Sequence, residues 1–311
     1  MSTISELEGQ IRDFINNPRK QHILLQDRAE WNKLCSSLDV IGDTELAIAA
    51  YIEDIHAPAT DGQKYLILYG ILQMLFVQQD AVKHMAEALG LQYEDDPLLS
   101  HIRELRNDSI GHPTKRGQGK GKSFNFITRI SMSRSGFTLM TTYPDKDPVF
   151  THVNVPQLIH DQRETLRKAL IEAIERLKSE EMEHRKKHRD EKLVDAFPQT
   201  LTYYFEKISE AIHGGNFPQF GALHVDLVSE AIERFKTMLT TRGFLNAYDL
   251  ISYHLELVEY PLAELKKYFD AQHDSKLNAK DAYIFLSFIR KQVDLLKQIA
   301  IEIDEEYATD I

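Results

Sequence analysis

Apolar and polar residues follow one another along the first part of the chain at the spacing of amphipathic helices. Apolar side chains recur every three or four residues behind Thr3 and Glu6, which match an N-terminal capping box, so a first helix is predicted up to Pro18. A second helix is predicted from about residue 18 to Leu38. A third is predicted to begin at the N-cap Asp43, because a glycine interrupts the pattern just before it.

The longest apolar run, YLILYGILQMLFVQQ at 65–79, predicts a helix that begins near Gln63. After Lys64 the next charged residue is Asp80, so the first half of this helix is predicted to be buried on nearly all sides. The run is shorter than the roughly 18 apolar residues of a membrane-spanning helix, and it contains Gln73. A buried helix of a soluble bundle is therefore predicted, and the next helix is predicted to begin at Pro97.

Between residues 123 and 155 the pattern changes from the period of a helix to that of a strand. Apolar and polar residues alternate over 124–132 and 137–143, with a turn at 133–136 between them, which is typical of a hairpin. The segment 149–155 is a third candidate strand. A small antiparallel meander is therefore predicted inside an otherwise helical chain.

The remainder of the chain is predicted to be helical. A long helix is expected over 157–195, but its stretch SEEMEHRKKHRDEK at 179–192 has almost no apolar face and is predicted to be a solvated spacer. Further helices are predicted over 199–213, 222–241, 245–271 and 278–307. The predicted fold is mostly α, with a helical bundle over 1–195 that carries a small inserted antiparallel β-meander near 123–155, and a C-terminal helical domain over 196–311.

Composition narrows the class of protein. With 42% hydrophobic and 27% charged residues, the 311-residue chain has the balance of a soluble globular protein. The net charge of -11 argues against a surface that attracts nucleic acid or anionic membranes in general, so a polyanion site has to be a local cationic patch. The single cysteine, Cys35, and the absence of a targeting pattern favour the cytoplasm, and no membrane partner is expected.

The densest group of chemically useful side chains lies in LRNDSIGHPTKR at 105–116. Arg106, Asn107 and His112 combine a permanent cation, an amide and a titratable imidazole, a set suited to a phosphodiester. His112 lies six positions after Arg106, which on a regular helix corresponds to about 600° of rotation. The two side chains would then point roughly 120° apart. Either Gly111 lets the backbone turn, or the two side chains line a wide cleft. A plain helix end, where Arg and His complement the helix dipole, explains the same residues.

A cationic arm follows this motif. Lys115, Arg116, Lys120 and Lys122 supply four cations within eight residues and are interleaved with glycines. A solvated loop accounts for charges in general but not for their single sign in an acidic protein. The arm is therefore predicted to contact phosphate groups of a nucleic acid.

The phrase RNDSIGH at 106–112 resembles the motif of the HEPN superfamily, in which a histidine follows an arginine after four to six residues. The apolar helix before it also resembles a bundle helix of that fold. The resemblance implies metal-independent cleavage of RNA, in which a 2′-hydroxyl attacks the adjacent phosphate and no cofactor takes part. It also implies that Arg106 and His112 are catalytic, that Asn107 supports them, and that two protomers form the site together.

The function expected from this resemblance is that of an endoribonuclease with a toxin or phage-defence role. Single-stranded RNA is the expected substrate, held by Lys115, Arg116, Lys120 and Lys122. A homodimer is expected because the chain contains one such motif. The alternative is a non-catalytic helical interaction module in which the Arg/His motif is only structural. In either case the C-terminal helices are a candidate surface for a protein partner.

Two Glu-x-x-His pairs raise the question of a metal site. Glu181 and His184, and likewise Glu210 and His213, have the spacing that di-iron helical bundles use. However, His184 lies in a charged stretch and His213 precedes a pair of glycines at a helix end, whereas such a site needs buried, inward-facing carboxylates. No metal is therefore expected.

Overall fold

The computed structural model describes residues 2–94, 96–118, 121–214, 218–270 and 276–309. It confirms a mostly helical fold with an inserted antiparallel sheet. Contacts divide the chain into two compact units, one formed by Met1–Asn16 and Leu24–Leu177, the other by Asn17–Ile23 and Lys178–Ile311. The division falls within the long helix at 177/178, whereas the sequence pattern placed it at 195/196.

Helices account for most of the described chain. In chain order they are α1 (Ile4–Ile15), α2 (Pro18–Leu24), α3 (Arg28–Glu53), α4 (Asp61–Ala88), α5 (Pro97–Arg106), α6 (Val155–His188), α7 (Leu201–Gly214), α8 (Pro218–Thr241), α9 (Asp249–Asp270) and α10 (Ala279–Ala308). The capping box predicted at Thr3 and Glu6 is present at the start of α1. The helices predicted after residue 199 are confirmed, with small shifts of their ends.

The break predicted near residue 42 is wrong, because α3 runs through it without interruption. The chain breaks earlier, where the Asp27 carboxylate accepts hydrogen bonds from the backbone N–H groups of Ala29 and Glu30 at 3.0 and 3.1 Å. A glycine inside a helix costs only about 1 kcal/mol. Packing of the fully buried Leu38 and Ile41 beside Gly42 outweighs that cost.

The central helix α4 is buried on one side only. Leu68, Leu72 and Leu75 are fully buried, but Leu66 is 76% exposed and Tyr69 is 41% exposed, so the prediction of burial on nearly all sides is wrong. Within the described chain, α4 is long and apolar enough to cross a membrane by length and composition alone. Its buried stripe in the helical core accounts for that composition.

The predicted meander is confirmed as the strands β1 (Phe124–Thr128), β2 (Gly136–Tyr143) and β3 (Lys146–Asn154), antiparallel and in the order β1-β2-β3. One face buries Phe137, Leu139 and Val153 against the helical core of the first unit. Gly136 is required by close approach, since a Cβ there would lie 2.1 Å from the Val153 carbonyl oxygen. The other face is turned outward.

The stretch 179–192 is solvated over most of its length, as its composition predicts, but one side of it is packed in the second unit, so it is not a free spacer. In the second unit, Glu181 forms ion pairs with Arg19 and Arg185, and the side chain of Glu181 is only 17% exposed. His188 is 3% exposed. Ion pairs therefore let one side of this segment pack without an apolar stripe, while most of its charged side chains stay exposed.

Candidate functional site

The predicted motif lies where α5 passes into a π-helical turn, Asn107–Gly111. The His112 N–H donates to the Asn107 carbonyl oxygen at 2.7 Å, which is the i to i−5 bond of a π turn. The backbone therefore leaves regular helical geometry before His112, and the 120° separation expected of a regular helix does not apply. The backbone thus turns before His112, as one of the two alternatives expects, but the π turn makes this change of direction without a positive φ at Gly111.

Arg106 is held by neutral groups. Its Nε and Nη2 donate to Gln73 Oε1 at 3.2 and 2.7 Å, and its Nη1 donates to Asn107 Oδ1 at 2.9 Å. The guanidinium carbon lies 4.5 Å from the ring centroid of Phe76. No carboxylate of the described residues pairs with Arg106. The guanidinium is thus oriented from three sides while its charge is left without a counter-ion.

Two neighbouring arginines differ from Arg106 in this respect. Arg103 stacks on the same Phe76 ring but forms an ion pair with Asp80. Arg116 donates to Asp108 at 2.6 Å and also pairs with Glu104, and its hydrogen bond with Asp108 raises the pKa of the guanidinium. Of these three cations, Arg106 is the one whose charge remains available to an anion.

The imidazole of His112 is exposed and forms no hydrogen bond with any described residue. Its backbone is fixed by the bond to Asn107, at φ -137° and ψ 50°. No hydrogen bond joins His112 to Arg106 within the described part of the protomer. One protomer therefore positions the cation but leaves the imidazole free to meet a ligand or a second chain.

Asn107 has a positioning contact. Its side-chain oxygen accepts a hydrogen bond from Arg106, and its carbonyl oxygen accepts the bond that defines the π turn.

Sequence reasoning missed Gln73 and Phe76, which lie 33 and 30 residues before Arg106 and complete its surroundings. The signal for Gln73 was an amide inside a long apolar run; Phe76 gave no signal distinct from a core residue.

The predicted cationic arm is only partly free. Arg116 is engaged by two carboxylates, and its backbone pairs with Ser123 in an antiparallel bridge with N–O distances of 2.9 Å. Lys115 is exposed and Lys122 is half-buried. Lys120 lies outside the described residues. The arm therefore offers two described lysines to a phosphate, and Arg116 instead stabilises the loop.

A groove of about 530 Å³ lies between α5, this loop and the sheet. Its lining includes His101, Glu104, Asp108 and Tyr143, with Arg116 at one side. Neither Arg106 nor His112 lines it. The groove thus borders the motif at Asp108 but does not include the side chains of Arg106 and His112.

The two Glu-x-x-His pairs are used in other ways. His184 Nε2 lies 3.1 Å from the Arg242 carbonyl oxygen and its Nδ1 lies 2.9 Å from the Tyr307 hydroxyl. His213 Nδ1 lies 2.9 Å from the Ser209 carbonyl oxygen, and Glu210 pairs with Lys207. Among the described residues, no group of three His, Cys, Asp or Glu side chains is arranged to hold a metal ion.

Comparison of the chain with known protein families, with curated proteins and with solved structures found no significant match. Assignment of a function therefore rests on the residues and their geometry.

Proposed function

We propose that this chain is a metal-independent endoribonuclease of the HEPN type that acts on single-stranded RNA in the cytoplasm, in a toxin or phage-defence role. The observation that carries the proposal is Arg106, a partly buried cation that Gln73, Asn107 and Phe76 orient without a carboxylate. A guanidinium held in this way is suited to the non-bridging oxygens of a phosphodiester.

In the proposed reaction the ribose 2′-oxygen attacks the adjacent phosphorus while the bond from phosphorus to the 5′-oxygen breaks. The products are a 2′,3′-cyclic phosphate and a 5′-hydroxyl. Arg106 stabilises the charge that develops on the phosphoryl oxygens. His112, which is exposed, takes the proton from the 2′-hydroxyl and gives it to the leaving 5′-oxygen, so that the proton lost by one oxygen is gained by the other. All of these steps use groups of the chain and of the RNA.

A two-fold homodimer completes the proposed site. Arg106 and His112 are not joined by a hydrogen bond within the described protomer, so the arginine of one copy would act with the histidine of the other. The exposed Leu66 and Tyr69 support this arrangement, because they lie on the same face of α4 as Gln73, the residue that holds Arg106. An apolar patch beside a single motif is suited to an isologous contact.

The test is cleavage of single-stranded RNA in the presence of chelator by Arg106→Ala and His112→Ala. Each substitution is expected to lower the rate by roughly 100-fold or more without unfolding the protein. Arg103→Ala is the matched control, since Arg103 stacks on the same ring but is paired with Asp80. Full activity in both motif variants would remove Arg106 and His112 from the mechanism.

A second candidate function is a non-catalytic helical interaction module. The observation that favours it is that Arg106 connects α5 to α4 through Gln73 and Phe76, which is also a structural role. In that case intact protein does not cleave RNA, and Arg106→Ala lowers the melting temperature while His112→Ala leaves it unchanged.

A further inference from the structure

The outward face of the sheet carries aromatic side chains in register. Phe126 on β1 pairs with Met140 on β2, which pairs with Phe150 on β3, so the three side chains form one row across the sheet. Phe126 is 51% exposed and Phe150 is 63% exposed. The two rings are two strand spacings apart, or roughly 10 Å. Both are therefore presented to solvent side by side.

This face differs from the outward face of an ordinary antiparallel sheet, which is polar. The paired positions on either side of the central row extend it without adding an acidic side chain. They are Phe124 with Thr142, and Thr128 with Thr138 and His152. No Asp or Glu occupies these eight positions, although the chain has 48 acidic residues against 37 basic ones. The face thus has an aromatic, apolar central row flanked mainly by hydroxyl and imidazole groups, without negative charge at these positions.

Two lysines are expected at the rim of this face. Arg116 and Ser123, which form an antiparallel bridge, both line the groove on the opposite side of the sheet. Side chains alternate along extended chain, so Lys115 and Lys122, the neighbours of that pair, are expected to project toward the side of Phe124. Phosphate groups along the β1 edge would then meet cations.

We propose that the outward face of the sheet binds unstacked bases of single-stranded RNA, with Phe126 and Phe150 as stacking platforms and Lys115 and Lys122 as phosphate contacts. Every base has an apolar ring face, and proteins bind single strands by combining aromatic platforms with cations beside them. Hydroxyl and imidazole groups at Thr128, Thr138 and His152 can contact base edges. This inference rests on the proposed function for one point, namely that the bound single strand is RNA.

The experiment measures binding of a short fluorescein-labelled 2′-O-methyl oligouridine to the full chain, since this probe has no 2′-hydroxyl and cannot be cleaved. The double variant Phe126→Ala/Phe150→Ala is expected to bind at least about 10-fold more weakly, because it removes both aromatic rings on which bases stack. Phe126→Tyr/Phe150→Tyr keeps both rings and is expected to bind like the unmodified chain. The alanine variant should keep its melting temperature, because both side chains are exposed.

Val149→Ala is the matched control. Val149 is 51% exposed and lies next to Phe150 on β3, but it lines the groove on the other face of the sheet. Val149→Ala should leave binding unchanged. Equal binding by the double alanine variant, an equal loss in Val149→Ala, or no binding by the unmodified chain would each overturn the proposal. So would loss of self-association in the double variant with RNA binding intact, since the face would then be a protein interface.

Failure of this inference can be told apart from failure of the proposed cleavage. Aromatic-dependent binding of the probe without cleavage of natural RNA would leave this face as an RNA site and remove the nuclease. If cleavage depends on Arg106 and His112 but probe binding does not depend on Phe126 and Phe150, the proposed nuclease stands and the proposed RNA site on the sheet is wrong.

Discussion

Gly111 and Arg106 are so close that a side chain at position 111 would collide with the guanidinium. A Cβ at Gly111 would lie 2.8 Å from Arg106 Nη1 and 3.3 Å from Asn107 Oδ1. The glycine has no positive φ, so its role here is the space it leaves rather than its backbone freedom. The observed position of the Arg106 guanidinium therefore depends on the absence of a side chain at residue 111.

Gly111→Ala is expected to move Arg106 while the fold is kept, because the colliding atom is the end of a flexible side chain. The rate of RNA cleavage should fall roughly 10- to 100-fold through misplacement of the cation. The melting temperature should not fall, since alanine is preferred to glycine in helical turns by about 1 kcal/mol. Gly42→Ala in α3 is the control, because a Cβ there meets nothing within 4 Å. Unchanged cleavage in Gly111→Ala would argue against a catalytic Arg106.

The proposed dimer can be tested on the exposed apolar patch of α4. Leu66→Glu should convert the dimer to a monomer in sedimentation at micromolar concentration and abolish cleavage. Leu46→Glu in α3 is the matched control, since Leu46 is 72% exposed and Leu66 is 76% exposed. A monomer in the unmodified chain, or dimers in both variants, would exclude α4 as the interface.

A shared site also predicts complementation between two inactive variants. In a mixed dimer of Arg106→Ala and His112→Ala, one site contains both lesions and the other contains an intact arginine and an intact histidine. Random mixing should therefore restore about a quarter of the unmodified activity. Single-turnover cleavage by the mixture measures this directly. A mixture as inactive as its components would place both residues of each site on one chain or remove one of them from the reaction.

RNA affinity should fall with salt, and the slope should depend on Lys115 and Lys122. Each phosphate contact to a single strand contributes about −0.7 to the slope of log affinity against log salt. Lys115→Ala and Lys122→Ala should each flatten the slope by about that amount. Arg116→Gln should change it less, because Asp108 and Glu104 already offset that charge. Binding of the 2′-O-methyl oligouridine at several salt concentrations gives all four slopes.

The second unit should lose stability in mild acid through His184. Burial, assisted by the nearby Arg19, lowers the pKa of His184 from 6.5 to about 4. The Arg242 carbonyl oxygen must accept from Nε2, so Nδ1 accepts from the Tyr307 hydroxyl, and a proton on Nδ1 would break that bond. Because the folded pKa lies below the unfolded one, the stabilisation is complete above pH 6.5 and is lost as pH falls toward 4.

The expected loss over that interval is on the order of 2 to 3 kcal/mol. Urea denaturation at a series of pH values between 7 and 4 measures it. His184→Gln should remove the contribution of His184 and leave that of His188, whose pKa burial also lowers, whereas His101→Gln, at an exposed position of α5, should retain the full pH dependence. The same acid sensitivity in both variants would assign the effect to other groups.

Short-range physics made much of the fold predictable. The capping box of Thr3 and Glu6, the proline that opens α5 and the two-residue alternation of β1, β2 and β3 depend on residues within a few positions of one another. Such interactions are encoded locally, so the element types and the inserted meander followed from the pattern. The motif at 106–112 was likewise visible as a group of chemically suited side chains.

Tertiary structure alone decided what those residues touch. Gln73 and Phe76 contact Arg106 although they lie on another helix, about 30 residues earlier in the chain. Arg116 is paired with Asp108 and Glu104. Part of the charged stretch 179–192 packs in the second unit through ion pairs. The continuity of α3 through residue 42 also depended on its buried neighbours. Which charged groups pair, and which polar residues are buried, depends on which surfaces contact one another in the folded chain. The pattern of apolar and polar residues does not specify these contacts between distant segments.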